Sequence, residues 1–194
     1  ASTEQRYSEA VIKAADISAD GQLTLWSDNQ QVCLWDNVNN QEKYCATGLE
    51  SQLIELVGIS ASKRYFYTSN RVNVHLYDLA SGRLITVWTA GDNIINDIAM
   101  ATNESAIILA FRSGQASVVS IADNKIATFD IHRLDINSAS ISADGTKALT
   151  GSSDKSAKLW HTQTGEVIKS FDHQTRVNHV VMSEDSKFAF TLDA

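Results

Sequence analysis

The 194 residues are 43% hydrophobic and 20% charged, a globular mixture with enough apolar mass for the core of about one domain, which excludes disorder and collagen. Sixteen Lys and Arg against 23 Asp and Glu leave a formal charge of −7, which argues against a protein that tracks phosphates or adheres to anionic lipid. No run approaches the roughly 20 apolar residues of a membrane helix, so neither nucleic acid nor membrane insertion is expected.

In chain order, residues 1–9 form a polar segment, and then one pattern recurs five times. VIKAADISADGQ (11–22), LIELVGISASKR (53–64), IINDIAMATNES (94–105), DINSASISADGT (135–146) and RVNHVVMSEDSK (176–187) stack into apolar columns at offsets of 42, 41, 41 and 41 residues. The first column holds Ile12, Ile54, Ile95, Ile136 and Val177. The second holds Ala15, Val57, Ile98, Ala139 and Val180, and the third Ile17, Ile59, Met100, Ile141 and Met182. A turn follows each segment, with Asp-Gly at 20–21 and 144–145 as hairpin signals. With no proline and nine glycines in the chain, Asn, Asp and Ser are expected to make the turns.

After each turn comes a second apolar run: LTLW (23–26), YFYT (65–68), AIILA (106–110), ALTG (148–151) and FAFT (188–191). A third run reads VCLWD (32–36), VHLYD (74–78), SVVSI (117–121) and AKLWH (157–161). The fourth reads KYCATG (43–48), LITVW (84–88), KIATF (125–129) and VIKSF (167–171). Runs of four to six residues, rich in β-branched and aromatic types, are strands. An all-β protein follows, with four-stranded antiparallel units at 10–49, 50–90, 91–131 and 132–172 and a partial unit at 173–194. Stacking such units radially into a β-propeller buries their faces and protects their edges; a linear solenoid is the competing arrangement.

The run LTGSSDKSAKLWHTQTGEVIKSFDH (149–173) resembles a repeat of the WD-repeat β-propeller family, and LWDNVNNQEKY (34–44) and LYDLASGRLITVW (76–88) resemble its passage from third to fourth strand. The dipeptide position reads Trp35-Asp36, Tyr77-Asp78, Val119-Ser120 and Trp160-His161, and the family's leading His is matched by His132 and His173. The resemblance implies a structural hydrogen-bonded tetrad of His132, Thr150, Asp154 and Trp160, complete in the fourth unit alone. A buried turn carboxylate needs donors, which imidazole, hydroxyl and indole can supply. The fifth unit has two strands where four are expected, which implies an incomplete ring: part of a longer propeller, or copies that pair through an open blade edge.

The sequence carries few signs of catalytic or metal chemistry. The Cys and His spacings give no zinc motif, no glycine loop cradles a phosphate, and no nucleophile elbow is present. DISADGQL (16–23) mimics the start of a calcium loop, but Ser27 stands where a bidentate Glu is required, so neither a metal nor a cofactor is expected. Cys33 and Cys45 fall nearly opposite on one hairpin, where a disulfide is within reach; two half-buried thiols are the other reading. The possible disulfide and a chain that starts on Ala lean toward an exported protein.

The resemblance further implies a non-catalytic scaffold that binds a protein or peptide on the propeller face. The residues flanking the tetrad positions form the candidate rim: Glu9, Asp28, Asn70, Asp92, Arg112, Arg133, Asp135, Ser153, Gln174 and Arg176. An enzyme or small-ligand binder working through the central channel is the alternative, and Asp97 and His179 facing one cavity with a bound metal or ligand would favour it.

Overall fold

The computed structural model describes residues 11–28, 31–46, 53–183 and 187–193. All regular elements among them are strands, and every strand pair is antiparallel. The first sheet orders β1 (Ala14–Ile17), β2 (Leu23–Ser27), β3 (Val32–Asp36) and β4 (Gln41–Ala46) side by side. The second does the same with β5 (Leu56–Ile59), β6 (Tyr65–Ser69), β7 (Asn73–Asp78) and β8 (Leu84–Thr89). Then come β9 (Ile95–Met100), β10 (Ala106–Phe111), β11 (Gln115–Ser120) and β12 (Ile126–Asp130). The fourth sheet holds β13 (Ile136–Ile141), β14 (Lys147–Ser152), β15 (Ser156–His161) and β16 (Val167–Asp172). β17 (Val177–Met182) and β18 (Ala189–Asp193) make a two-stranded sheet. These are blades built as simple meanders, and each sheet is open.

The chain divides into two compact units, residues 1–59 with 63–88, and residues 60–62 with 89–194. In the first, Ile54 runs ahead of β5 and packs back onto Leu25, Val32 and Leu34 of the first sheet, together with Phe66, Tyr77 and Leu79. The Phe66 and Tyr77 rings stack at 4.6 Å, and the Tyr44 hydroxyl donates to the Leu79 carbonyl at 2.6 Å. The second unit repeats the scheme twice. Ile136 packs onto Ile108, Ala110 and Ala116, and Val177 onto Leu149 and Ala157. Each fully buried Ile, Leu or Val side chain there contributes about 1.5–3 kcal/mol of transfer free energy.

Ile54, Ile136 and Val177 of the first apolar column therefore each pack back on the preceding sheet of their own unit, and this scheme accounts for the column's one exposed member. Ile54, Ile95, Ile136 and Val177 are buried, but Ile12 is 50% exposed. The described residues place no sheet on the side of β1 toward which Ile12 turns, and Ala15 and Ile17 share its exposure.

The turns depart from expectation in a second way. Gly21 and Gly145 adopt φ of 70° and 76°, as Asp-Gly hairpins require. At the matching places Lys63 (61°) and Glu104 (59°) take the left-handed conformation, and Arg71 and Lys155 do so elsewhere (both 69°). Only Asn40 and Asn124 follow the expected residue types among the non-glycine left-handed positions. In the two Asp-Gly turns Ser and Asp act beside the glycine: Ser18 donates to Asp20 at 2.7 Å and accepts Leu23 N–H at 2.9 Å. Ser142, Asp144 and Lys147 N–H repeat this at 2.6 and 2.9 Å.

Candidate functional site

The fourth sheet brings His132, Thr150, Asp154 and Trp160 together. Thr150 sits on β14 and Trp160 on β15, while His132 and Asp154 occupy the connections beside them. The Trp160 indole N–H donates to Thr150 Oγ1 at 3.2 Å, and Thr150 Oγ1 meets His132 Nε2 at 2.9 Å. His132 Nδ1 meets Asp154 Oδ2 at 3.0 Å. Since the threonine hydroxyl accepts from Trp160, its own proton is free for Nε2, and the network assigns the imidazole proton to Nδ1. The indole thus reaches the hydroxyl and not the carboxylate, so the tetrad is a relay in line.

Ser156, which sequence reasoning passed over, joins it: its hydroxyl donates to Asp154 Oδ1 at 2.6 Å and lies 3.2 Å from His132 Nδ1. Arg133 N–H and Ser156 N–H complete the donor set of Asp154 at 3.1 Å each. Burial alone would push the Asp154 carboxyl up, but Ser156, the Arg133 amide and His132 hold it down at about 2. Burial moves His132 below its ordinary 6.5 against the pull of Asp154, so the imidazole is neutral. A neutral imidazole with both nitrogens engaged is a structural device, with no lone pair left for proton transfer or metal.

In the fifth sheet His173 Nε2 lies 2.9 Å from Thr191 Oγ1, and its Nδ1 lies 3.5 Å from Asp193. Tyr77 keeps the second-sheet version of the Trp160 contact, a hydrogen bond between its hydroxyl and Thr68. Asp36 and Asp78, from the dipeptide position, instead close the turns that follow them. Asp36 accepts from Val38 N–H and Asn39 N–H, and Asp78 from Ser81 N–H and its hydroxyl.

The candidate rim divides under the structure. Asp92, Arg112, Arg133, Gln174 and Arg176 are exposed, and Asp135 and Ser153 are half-buried. Ser153 exchanges hydrogen bonds with Asn137 at 3.1 and 3.2 Å. Asp28 departs from the expectation of a solvated rim: it is 7% exposed and accepts Gln31 N–H at 2.9 Å, closing its own hairpin. Asn70 is half-buried and likewise closes a turn, accepting Val72 and Asn73 N–H. Glu9 lies outside the described residues.

A second set of polar residues has a role that the sequence reading did not assign, although Asp97 itself was named there. Asp97 is half-buried in β9 and accepts Ala139 N–H of β13 at 2.9 Å, in the next sheet, as well as Ile98 N–H. Asn96 donates to Ile136 O at 3.0 Å and Asn137 to Val177 O at 2.9 Å. Ser138 accepts Val180 N–H and Ser140 accepts Met182 N–H. In the first unit Asp16 accepts Ile59 N–H at 2.8 Å. Each is a latch from one first strand to the backbone of the next, reaching across one repeat. Asn96, Asn137 and Asn178 stand 41 residues apart, a signal that was present in the sequence. Burial raises the Asp97 carboxyl, with the Ala139 and Ile98 amides and the charge of His179 acting against it. Each of its oxygens accepts a backbone amide, Oδ1 from Ile98 and Oδ2 from Ala139.

Comparison with known proteins agrees with this geometry. The family model for the WD domain, G-beta repeat (WD40), matches residues 123–161, a span that contains all four tetrad residues. Residues 123–161 are a WD40 repeat. That stretch runs from β12 of the third sheet through β13, β14 and β15 of the fourth, and all four four-stranded sheets share one sequential strand order. Two relatives are each named eukaryotic translation initiation factor 3 subunit I. The protein from Meyerozyma guilliermondii is 31% identical over 85 residues, 43% of this chain and 24% of the relative. That from Debaryomyces hansenii is 36% identical over 63 residues, 32% of this chain and 18% of the relative. The matched stretch thus spans a quarter or less of these curated relatives. They overturn the lean toward export, because initiation of translation takes place inside the cell.

Proposed function

We propose that this WD40-repeat chain is a non-catalytic protein-interaction scaffold that serves translation initiation, holding a protein or peptide partner on its polar rim. The observation that carries the reading is the coincidence of the WD40 repeat at 123–161 with relatives named as initiation factor subunits. Support comes from side chains that leave the core unoccupied by chemistry: the tetrad and latches spend their polar groups on the fold, while Asp92, Arg112, Arg133, Gln174 and Arg176 face solvent. Their mixed signs suit a polar partner better than a uniform anion. Val181, Phe188, Phe190 and Leu192, all more than half exposed on β17, β18 and the residue before it, add an apolar patch through which copies self-associate.

The test is capture of initiation factors from a cell extract by wild type and by the Arg133→Glu, Arg176→Glu pair. Loss of capture with an unchanged melting temperature is expected; unchanged capture removes the rim from the proposal. Sedimentation velocity on the same samples reads the patch, and a strictly monomeric species at all concentrations refutes self-association.

A further inference from the structure

Cys33 and Cys45 face each other across β3 and β4 and are joined as a disulfide, with a Cα–Cα distance of 4.0 Å. The register next to them is irregular. Pairing runs Cys33 with Cys45 and Leu34 with Tyr44, then slips, so that Trp35 faces Glu42 and not Lys43. Side chains alternate along a strand, so an unbroken ladder would have set the Lys43 ammonium on the cysteine face. The bulge puts a carboxylate there in its place. Both sulfurs and a Glu42 oxygen lie within 4.8 Å of one another.

Those three groups form a graded site. Cys33 is fully buried, Cys45 half-buried and Glu42 exposed, so one thiol anchors the site inside while its mouth opens to solvent. As a dithiol pair beside a carboxylate, the cluster gathers three groups that are anionic in their ligating form. Such like charges repel unless the sulfurs are bonded to each other or a cation stands between them. We propose that the reduced pair, with Glu42, binds a thiophilic divalent cation of the zinc type. Two thiolates and one carboxylate satisfy three positions of a tetrahedron and leave the fourth to water. At Zn–S of about 2.3 Å the two sulfurs stand about 3.8 Å apart, a separation that directly opposed cross-strand side chains reach. Hard cations such as magnesium and calcium avoid thiolate, which fixes the class. Searching along the chain for closely spaced Cys and His misses the cluster, because its two cysteines lie 12 residues apart and meet only through the hairpin.

Loading proceeds in two balanced steps. A thiol reductant of the glutathione class gives two electrons and two protons to the S–S bond, yielding two cysteine thiols and the reductant's own disulfide. The cation then displaces one proton from each thiol. That the pair meets such a reductant rests on the translation-factor reading above, since intracellular pools keep thiols reduced; the coordination geometry does not.

The experiment reduces the protein with a phosphine under inert gas, removes the reductant, and titrates cobalt(II) and then zinc(II). One equivalent of cobalt should produce a thiolate-to-metal charge-transfer band with the intense visible bands of a tetrahedral site, and zinc should displace it. Cys45→Ser should abolish the band. Glu42→Gln, an exposed change that leaves the fold intact, should keep the band and weaken binding at least about tenfold, since even an outer-sphere partner is worth that much. No band from reduced wild type, a band retained in Cys45→Ser, or wild-type affinity in Glu42→Gln overturns the proposal. None of these readouts involves partner capture, so failure here and failure of the scaffold reading are separate results.

Discussion

Thr150→Val isolates the relay in the fourth sheet. Valine matches threonine in shape, so the packing of β14 stays, while one hydroxyl disappears from a position with no solvent exposure. Two groups lose their partner at once: the Trp160 indole N–H at 3.2 Å and His132 Nε2 at 2.9 Å. Trp160 is fully buried and His132 8% exposed, so water reaches neither freely. Each orphaned polar group costs about 1–3 kcal/mol, and removal of the buried hydroxyl gives a little back, for a loss of about 2–4 kcal/mol. In a chain of this size that lowers Tm by roughly 5–15 °C. Thr191→Val serves as the internal reference: it deletes a single contact, to His173, between half-buried residues that water can reach, and should cost less than about 1 kcal/mol. Urea unfolding followed by circular dichroism measures both, and hydrogen exchange in β13–β16 reports whether the loss falls in the fourth sheet. A Thr150→Val protein within about 0.5 kcal/mol of Thr191→Val would refute the claim that the relay holds the sheet, because that gap is below the cost of one unsatisfied buried group.

The neutral buried imidazole gives a pH signature. The folded pKa of His132 lies below its ordinary 6.5, so the unfolded chain takes up the proton first and stability falls as pH drops from about 7 toward 5. His75, also lowered by burial, adds to the slope, and His132→Gln should flatten it without removing it, as thermal melts across that range will show. Asp154 runs on a different window: its contribution is complete above the ordinary 3.8 and is lost as pH falls through about 2, so it is fully present near neutrality and adds nothing to the slope there. Gly151→Ala should destabilise by about 1–3 kcal/mol, since a Cβ there would lie 2.6 Å from Val177 Cγ1 and 2.8 Å from Val180 Cγ1. Combining it with Val177→Ala should relieve much of the clash, and a double mutant no better than the sum of the two would count against that contact.

The five-fold recurrence made the strands legible with little error. β3 begins and ends where VCLWD does, and most other strands differ from their sequence runs by one or two residues. Periodicity reports burial well when every copy has a neighbour of the same kind, and it failed at Ile12, where the column continues but the covering sheet is absent from the described residues. Backbone conformation was less legible. Lys63 and Glu104 take a left-handed turn that their types disfavour, because the meander on either side fixes the chain reversal and leaves local preference outvoted. The tetrad could be read because a known pattern names its residues. Ser156 could not, and of the latches only the asparagine recurrence at 96, 137 and 178 left a sign in the sequence, since a single serine or asparagine on a strand does not tell whether it faces water or the next sheet. Asp28 shows the reverse case: a charged residue placed on the rim by position that the hairpin draws inward.

The latches from Asn96, Asp97, Asn137, Ser138 and Ser140 bear on how such a chain could be rebuilt. Each keeps its donor or acceptor in one copy and its counterpart in the following copy, so a single copy is not a self-sufficient cassette. Shuffling one elsewhere, or deleting it, leaves a carboxylate or amide aimed at a backbone it no longer matches. What can be moved or duplicated intact is the joint between two neighbours, and divergence on one side of that joint has to be answered on the other.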